Sequence, residues 1–189
     1  MRTLAAKGAA VLRRTHLRYR PPPAGSQTLH CLLLDCSASM LRSRRLARAK
    51  GLLLAWTAAL YRRREKLLVI GFAGEQAHLV QAPGKALACN ERWIAAIAGG
   101  GATPLAAAVA LADRVLARRR RRVPNERIAL WLLSDVRVAP LPPRPQQADF
   151  CTVIDFDEGP HALGRALQLA RAWNADYRSA SALAAACSR

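Results

Sequence analysis

Three oxygen-bearing side chains follow a largely apolar run near the beginning of the chain, at a spacing of two residues. The run is Leu29–Leu34, and Asp35, Ser37 and Ser39 come after it. Such a run is typical of a strand that is buried on both faces, as in a parallel sheet. A loop at the carboxyl end of this strand can turn all three oxygens toward one point, where open α/β sheets bind ligands. One carboxylate and two hydroxyls suit a hard divalent cation, Mg²⁺ in particular.

Two other interpretations of the same loop remain open from the sequence. Asp35 can cap the helix that follows, with the serines as turn formers. Cys36 can be a catalytic thiol, although the loop itself contains no histidine.

Two later stretches repeat the pattern of an oxygen ligand beside a buried element. A glycine-rich loop, Gly99–Thr103, ends in a threonine at the start of a predicted helix, and the apolar run 127–133 ends in Ser134 and Asp135. Because parallel strands end at the same edge of a sheet, we expect Asp35 and Asp135 to lie close together. The sequence therefore predicts a metal site made of Asp35, Ser37, Ser39, Thr103 and Asp135.

These motifs, D-x-S-x-S, G-G-G-A-T-P-L and L-L-S-D, resemble the von Willebrand factor A (integrin I-like) domain family and its metal-ion-dependent adhesion site. The resemblance covers about Leu29 to the end of the chain. It implies that Ser37, Ser39 and Thr103 bind Mg²⁺, with Mn²⁺ as an alternative, and that Asp35 and Asp135 bind it directly or through water. The chain departs from the family pattern at Ala38 and Val136, where glycine is more usual.

Within the family, the chain is most similar to the carboxyl-terminal domain of the D subunit of magnesium chelatase and to the corresponding part of a cobaltochelatase. The similar stretches are LRYR, RLARAKGLLLAWTAALYRRRE, KLLVIGFAGEQAHLVQAP and GGGATPLAAAVALA. The resemblance implies a non-catalytic accessory protein that couples an AAA+ ATPase, bound through an acidic residue, to a large tetrapyrrole-binding subunit. Magnesium and cobalt both remain open as the inserted metal. The sequence holds no G-x-x-x-x-G-K-[ST] phosphate loop, so we expect a stand-alone relative of the chelatase protein. A scaffold for another AAA+ ATPase, unrelated to tetrapyrroles, is the alternative.

The alternation of strands and helices predicts a doubly wound, mostly parallel α/β sheet with helices on both faces. We expect residues 1–26 to form a basic extension and proline-rich linker, and residues 27–189 to form the domain. Further predicted elements are strands over 66–72, 76–81 (an antiparallel edge), 150–155 and 175–178, a turn at Pro83-Gly84, and helices over 40–64, 87–97, 104–119, 159–173 and 181–187.

The composition limits the remaining function classes. A formal net charge of +18 invites a nucleic-acid interpretation. An arginine-rich nucleic-acid binder is nevertheless only the less favoured alternative function, because recognisable binding motifs are missing and only 5% of the residues are aromatic. The odd number of cysteines, five, and their spacing indicate neither a disulfide framework nor a zinc site. We expect a cytoplasmic protein without a membrane span.

Overall fold

The computed structural model describes residues 28–86, 99–159 and 161–187. The strands are β1 (Thr28–Asp35), β2 (Lys66–Ala73), β3 (Gln76–Lys85), β4 (Arg127–Ser134), β5 (Phe150–Asp155) and β6 (Asp176–Ser179). The helices are α1 (Ala38–Leu41), α2 (Arg45–Arg63), α3 (Leu105–Arg122), α4 (Arg165–Trp173) and α5 (Ala180–Cys187), and a 3₁₀ turn, Arg42–Arg44, joins α1 to α2.

The six strands form one sheet in the order β3-β2-β1-β4-β5-β6. All neighbouring strands are parallel except β2 and β3, which are antiparallel. This topology confirms the predicted α/β class, including the antiparallel edge strand. In register, Leu34 pairs with Leu133, and Ser134 pairs with Asp155. The residues that end β1, β4 and β5 therefore lie at one edge of the sheet.

The sheet separates two hydrophobic clusters, and β1 contributes to both because successive side chains point to opposite faces. Leu29, Cys31 and Leu33 pack in the cluster that contains the apolar faces of α3 and α4. Leu32 and Leu34 pack in the other cluster, with α2 and the beginning of α5. Burial of both faces explains why β1 is apolar over most of its length, and it fixes the position of the polar residues at its end.

The single helix predicted over 40–64 is wrong, because the chain turns between α1 and α2. Arg44 has a left-handed backbone, with φ of 56°, and this conformation interrupts the helix before Arg45. The predicted helix over 159–173 likewise begins only at Arg165, after Gly164 with φ of 64°. The hydrophobic period continues across both places, which is why the sequence does not reveal these breaks.

The predicted turn at Pro83-Gly84 is also wrong, since both residues belong to β3. β3 is an edge strand with a register irregularity opposite Leu67 and Val69, and edges and bulges are where a strand accepts proline. The predictions for 1–26 and 87–97 lie outside the described residues. Within the described ranges, no helix is both long and apolar enough to cross a membrane.

Candidate metal centre

The loop after β1 brings two serine hydroxyls together at the carboxyl edge of the sheet. The Oγ atoms of Ser37 and Ser39 lie 3.1 Å apart, and the Ser39 hydroxyl donates a hydrogen bond of 3.0 Å to Oδ1 of Asp135. Ser37 is buried, whereas Ser39 is partly exposed. The predicted convergence of the first and third motifs is therefore present, and Ser39 is the member of the hydroxyl pair that reaches solvent.

Asp35 lies behind this pair and is fixed at both carboxylate oxygens. Oδ1 accepts a 2.9 Å hydrogen bond from the backbone N–H of Ser37, and Oδ2 accepts one from the hydroxyl of Ser134. Burial raises the pKa of Asp35 to about 6, although the hydrogen bonds from Ser134 and Ser37 act in the opposite direction. The carboxylate of Asp35 thus has no exposed surface, and its hydrogen bonds hold the loop in place.

The loop after β4 places Asp135 by means of an unusual backbone conformation. Val136 has a positive φ of 47°, which is rare for a β-branched residue, and its N–H donates a 2.8 Å hydrogen bond to Oγ of Ser134. The Val136 side chain is fully buried. The family's glycine at this position would adopt the conformation freely, whereas valine retains it through core packing and this hydrogen bond.

The glycine-rich loop is attached to the first loop through its backbone. The N–H of Gly100 donates to the carbonyl of Cys36 at 2.7 Å, and the N–H of Ala38 donates to the carbonyl of Gly101 at 2.9 Å. Thr103 follows two residues later and is partly buried, and its hydroxyl makes no hydrogen bond within the described residues. The structure therefore places the loop that carries Thr103 beside the serines, but it shows no hydrogen bond between the Thr103 hydroxyl and the other predicted ligands.

Two arginines border the site, and the sequence does not indicate how they are paired. Arg45, the first residue of α2, donates to Oδ2 of Asp135 at 2.9 Å and to Oδ1 of Asp157 at 3.1 Å. Arg137 donates to the same Oδ1 of Asp157 at 2.7 Å, and its Nε lies 3.5 Å from Oδ2 of Asp135. Asp155 ends β5 and Asp157 follows it, at the same edge of the sheet. An acidic pair after a buried strand is the signal that could have revealed Asp157.

The chemistry of the donors is compatible with a hard divalent cation. The five predicted ligands provide two carboxylates and three hydroxyls, and Mg²⁺ and Mn²⁺ both accept such oxygen ligands. Among the described residues, no three His, Cys, Asp or Glu side chains form a cluster, so hydroxyls must supply most of the donors. The resulting site would carry little negative charge and would leave positions free for another ligand.

The chain matches one protein-family model and two curated relatives. The family model of the von Willebrand factor type A domain matches residues 31–136. The magnesium-chelatase 60 kDa subunit of Cereibacter sphaeroides is 31% identical over 127 residues, which cover 67% of this chain and 22% of that protein. An uncharacterized protein of Mycobacterium tuberculosis is 30% identical over 151 residues, which cover 74% of this chain and 24% of that protein. The chain thus spans about a quarter or less of these relatives.

Solved structures share the fold at low sequence identity. The vWF domain of the pili tip protein Mfa5 from Porphyromonas gingivalis superposes with a TM-score of 0.63 at 13% identity, covering 86% of this chain and 93% of that one. Proximal thread matrix protein 1 from the mussel byssus gives a TM-score of 0.59 at 14% identity, covering 86% of this chain and 46% of that one. Together with the matched family model, the sheet order and the clustered motifs, these similarities show that the chain belongs to the von Willebrand factor type A domain family.

Proposed function

We propose that this chain is a Mg²⁺-dependent adhesion domain that connects an AAA+ ATPase to a tetrapyrrole-binding chelatase subunit. The observation that carries the proposal is the convergence of Ser37, Ser39 and Asp135, with the buried Asp35 behind them, at the carboxyl edge of the sheet. The 31% identity to a magnesium-chelatase protein supports the chelatase context. A scaffold for a different AAA+ ATPase is the alternative function.

The residues of the site have distinct roles in this mechanism. Ser37, Ser39 and Thr103 would hold the cation through neutral oxygens, and Asp35 and Asp135 would supply the negative charge directly or through water. When bound, the metal offers an electrophilic position to a carboxylate of the partner. No bond needs to be made or broken at this domain, so we expect it to be non-catalytic and to join the ATPase to the chelatase.

The surroundings of the site favour an acidic partner. Arg137 is exposed beside Asp135, and Arg42 and Arg44 are exposed on the 3₁₀ turn next to the serine loop. Positive charge around a cleft accelerates association with an acidic surface and makes the association rate depend on salt. The arginines would therefore attract the partner, and the metal would hold its carboxylate.

The proposal is tested by binding the purified chain to a chelatase-type AAA+ ATPase. We expect a complex in Mg²⁺ that EDTA weakens, and that the Ser37→Ala/Ser39→Ala double variant weakens even at low salt. The matched control is Arg42→Gln, which removes an exposed charge and should slow association while leaving the EDTA effect intact. A double variant that binds as tightly as the wild type, together with indifference to EDTA, would refute metal-bridged adhesion.

The chelatase context needs a separate measurement. We expect the neighbouring genes to include a large tetrapyrrole-binding subunit, and we expect reconstituted metal insertion to need this chain. A complex with the ATPase that forms through the metal, but has no effect on metal insertion, would favour the alternative scaffold.

A further inference from the structure

Among the residues that the structure describes, Arg45 is the cationic side chain closest to a predicted metal ligand. Its two terminal nitrogens bridge the buried carboxylates of Asp135 and Asp157, and its own side chain is only 14% exposed. Arg137 approaches the same two carboxylates from the other side. The two buried carboxylates of Asp135 and Asp157 therefore face two guanidinium groups, which are positively charged at every pH relevant to folding.

Asp135 has several positional restraints that do not involve Arg45. It directly follows β4, Ser39 donates to its Oδ1, and the next residue, Val136, is anchored to Ser134. Asp157 is restrained as well, because it accepts the N–H of Leu163 and its own N–H donates to Asp155. Since both carboxylates are already placed, the main contribution of Arg45 is to compensate their charge.

We infer that Arg45 is a built-in counter-cation, which competes with the divalent metal for the charge of Asp135. This inference rests on the metal site of the proposed function. In the metal-free domain the guanidinium satisfies Asp135 and Asp157, and this prevents like-charge repulsion between them. When a metal binds, the same guanidinium opposes it, because two cations then share one buried carboxylate.

Coupling between metal and partner follows from this competition. A partner carboxylate that pairs with Arg45, in addition to the one that binds the metal, would release Asp135 to the metal, so metal and partner would each increase the affinity of the other by the same factor. The isolated domain would hold its metal weakly and would bind it well only within the complex. Occupancy of the metal site would therefore depend on whether the partner is bound.

The test measures Mn²⁺ affinity by isothermal calorimetry at fixed ionic strength. We expect Arg45→Gln to bind Mn²⁺ on the order of tenfold more tightly than the wild type, which is the scale of a partly screened repulsion between a unit charge and a divalent ion. Arg45→Lys retains the charge and should remain within about threefold of the wild type on the same scale. Arg48→Gln is the matched control, since Arg48 lies on the same helix but pairs with Glu158 in an exposed position, 3.0 Å away.

Urea unfolding provides a second measurement, and its expected result differs from the result expected if Arg45 only positioned the carboxylates. In EDTA, Arg45→Gln should be less stable than the wild type, because Asp135 and Asp157 lose their shared partner. Added Mn²⁺ should stabilise this variant more than it stabilises the wild type, because ligand binding shifts the unfolding equilibrium according to affinity.

The outcomes separate this inference from the proposed function. Tighter Mn²⁺ binding by Arg45→Gln, with Arg48→Gln unchanged, supports the counter-cation. Equal or weaker Mn²⁺ binding by Arg45→Gln overturns the inference and makes Arg45 a positioning residue. In that case the metal site itself still stands if the wild type binds Mn²⁺ and Asp35→Ala does not. Absence of Mn²⁺ binding in every protein, including Arg45→Gln, would reject the metal site and this inference together.

Discussion

Replacing Glu126 by glutamine should destabilise the fold by an amount that depends on pH. Glu126 precedes β4 and its side chain is 1% exposed. It accepts hydrogen bonds of 2.6 and 2.8 Å from Arg119 near the end of α3, and one of 2.6 Å from Lys66 at the start of β2. The carboxylate thereby connects a helix and two strands at the edge opposite the metal centre.

The magnitude follows from the number of charged contacts and the exposure of the partners. A hydrogen bond to a charged group contributes about 1.5–3 kcal/mol, and breaking a buried pair costs roughly 3–5 kcal/mol. Glutamine retains one acceptor oxygen, and Arg119 and Lys66 are 20% and 19% exposed, so water partly replaces the lost carboxylate. We expect a loss of about 2–3 kcal/mol at pH 7 in the free energy of unfolding, measured with urea.

The pH dependence has a definite sign. Burial alone would raise the pKa of Glu126, but the hydrogen bonds from Arg119 and Lys66 outweigh it and hold the pKa below its ordinary value. The carboxylate therefore contributes fully above the unfolded-state pKa, near 4.3, and its contribution is lost as the pH falls through the lower folded-state pKa. The difference between wild type and Glu126→Gln should shrink below about pH 4. A difference under about 0.5 kcal/mol at pH 7, comparable to the exposed-pair control Arg48→Gln, would refute this reasoning.

Three further predictions concern the elements around the centre. Gly101→Ala should lower the free energy of unfolding in urea by about 1–3 kcal/mol, because Gly101 has a φ of 75° and an added Cβ would lie 2.7 Å from Cα of Gly74. A variant as stable as the wild type would contradict this packing. Cys36 should resist alkylation by iodoacetamide at pH 8 in the folded protein but react in urea, because burial raises the pKa of its thiol to about 12. Rapid modification of the folded protein would instead favour a reactive thiol. Trp131→Phe should cost about 1 kcal/mol in thermal unfolding, since the indole N–H donates a 3.2 Å hydrogen bond to His30, and an unchanged midpoint would show that this bond contributes nothing.

Much of the fold is predictable because burial on two faces gives parallel strands a distinctive composition. β1 and β4 are nearly continuous apolar runs that end in polar residues, and this alone places Asp35 and Asp135 at one edge. The less apolar β3 is recognisable as an edge strand from its alternation. The breaks at Arg44 and before Arg165 are not predictable in this way, because apolar periodicity reports which face is buried and does not report where the backbone turns.

The grouping of Asp35, Ser37, Ser39 and Asp135 is predictable from the sequence, but the charge balance around them is not. Residues that follow neighbouring strands must converge, so the carboxylates and hydroxyls can be grouped from the sequence alone. The pairing of Arg45 with Asp135 and Asp157 spans 90 and 112 residues, and no local pattern specifies which of many arginines reaches which carboxylate. The positive φ of Val136 is equally hidden, because valine is a residue type that rarely adopts it.

The most direct test of metal-dependent adhesion at this loop is the anomalous diffraction of Mn²⁺ in crystals of this domain. We expect a single strong peak at the carboxyl edge of the sheet, within about 2.0–2.3 Å of the hydroxyl oxygens of Ser37 and Ser39. Crystals of Asp35→Ala prepared in the same way should lack the peak. A peak at other residues, or no peak at saturating Mn²⁺ with the serine loop accessible in the lattice, would contradict the assignment of this loop as a metal-dependent adhesion site.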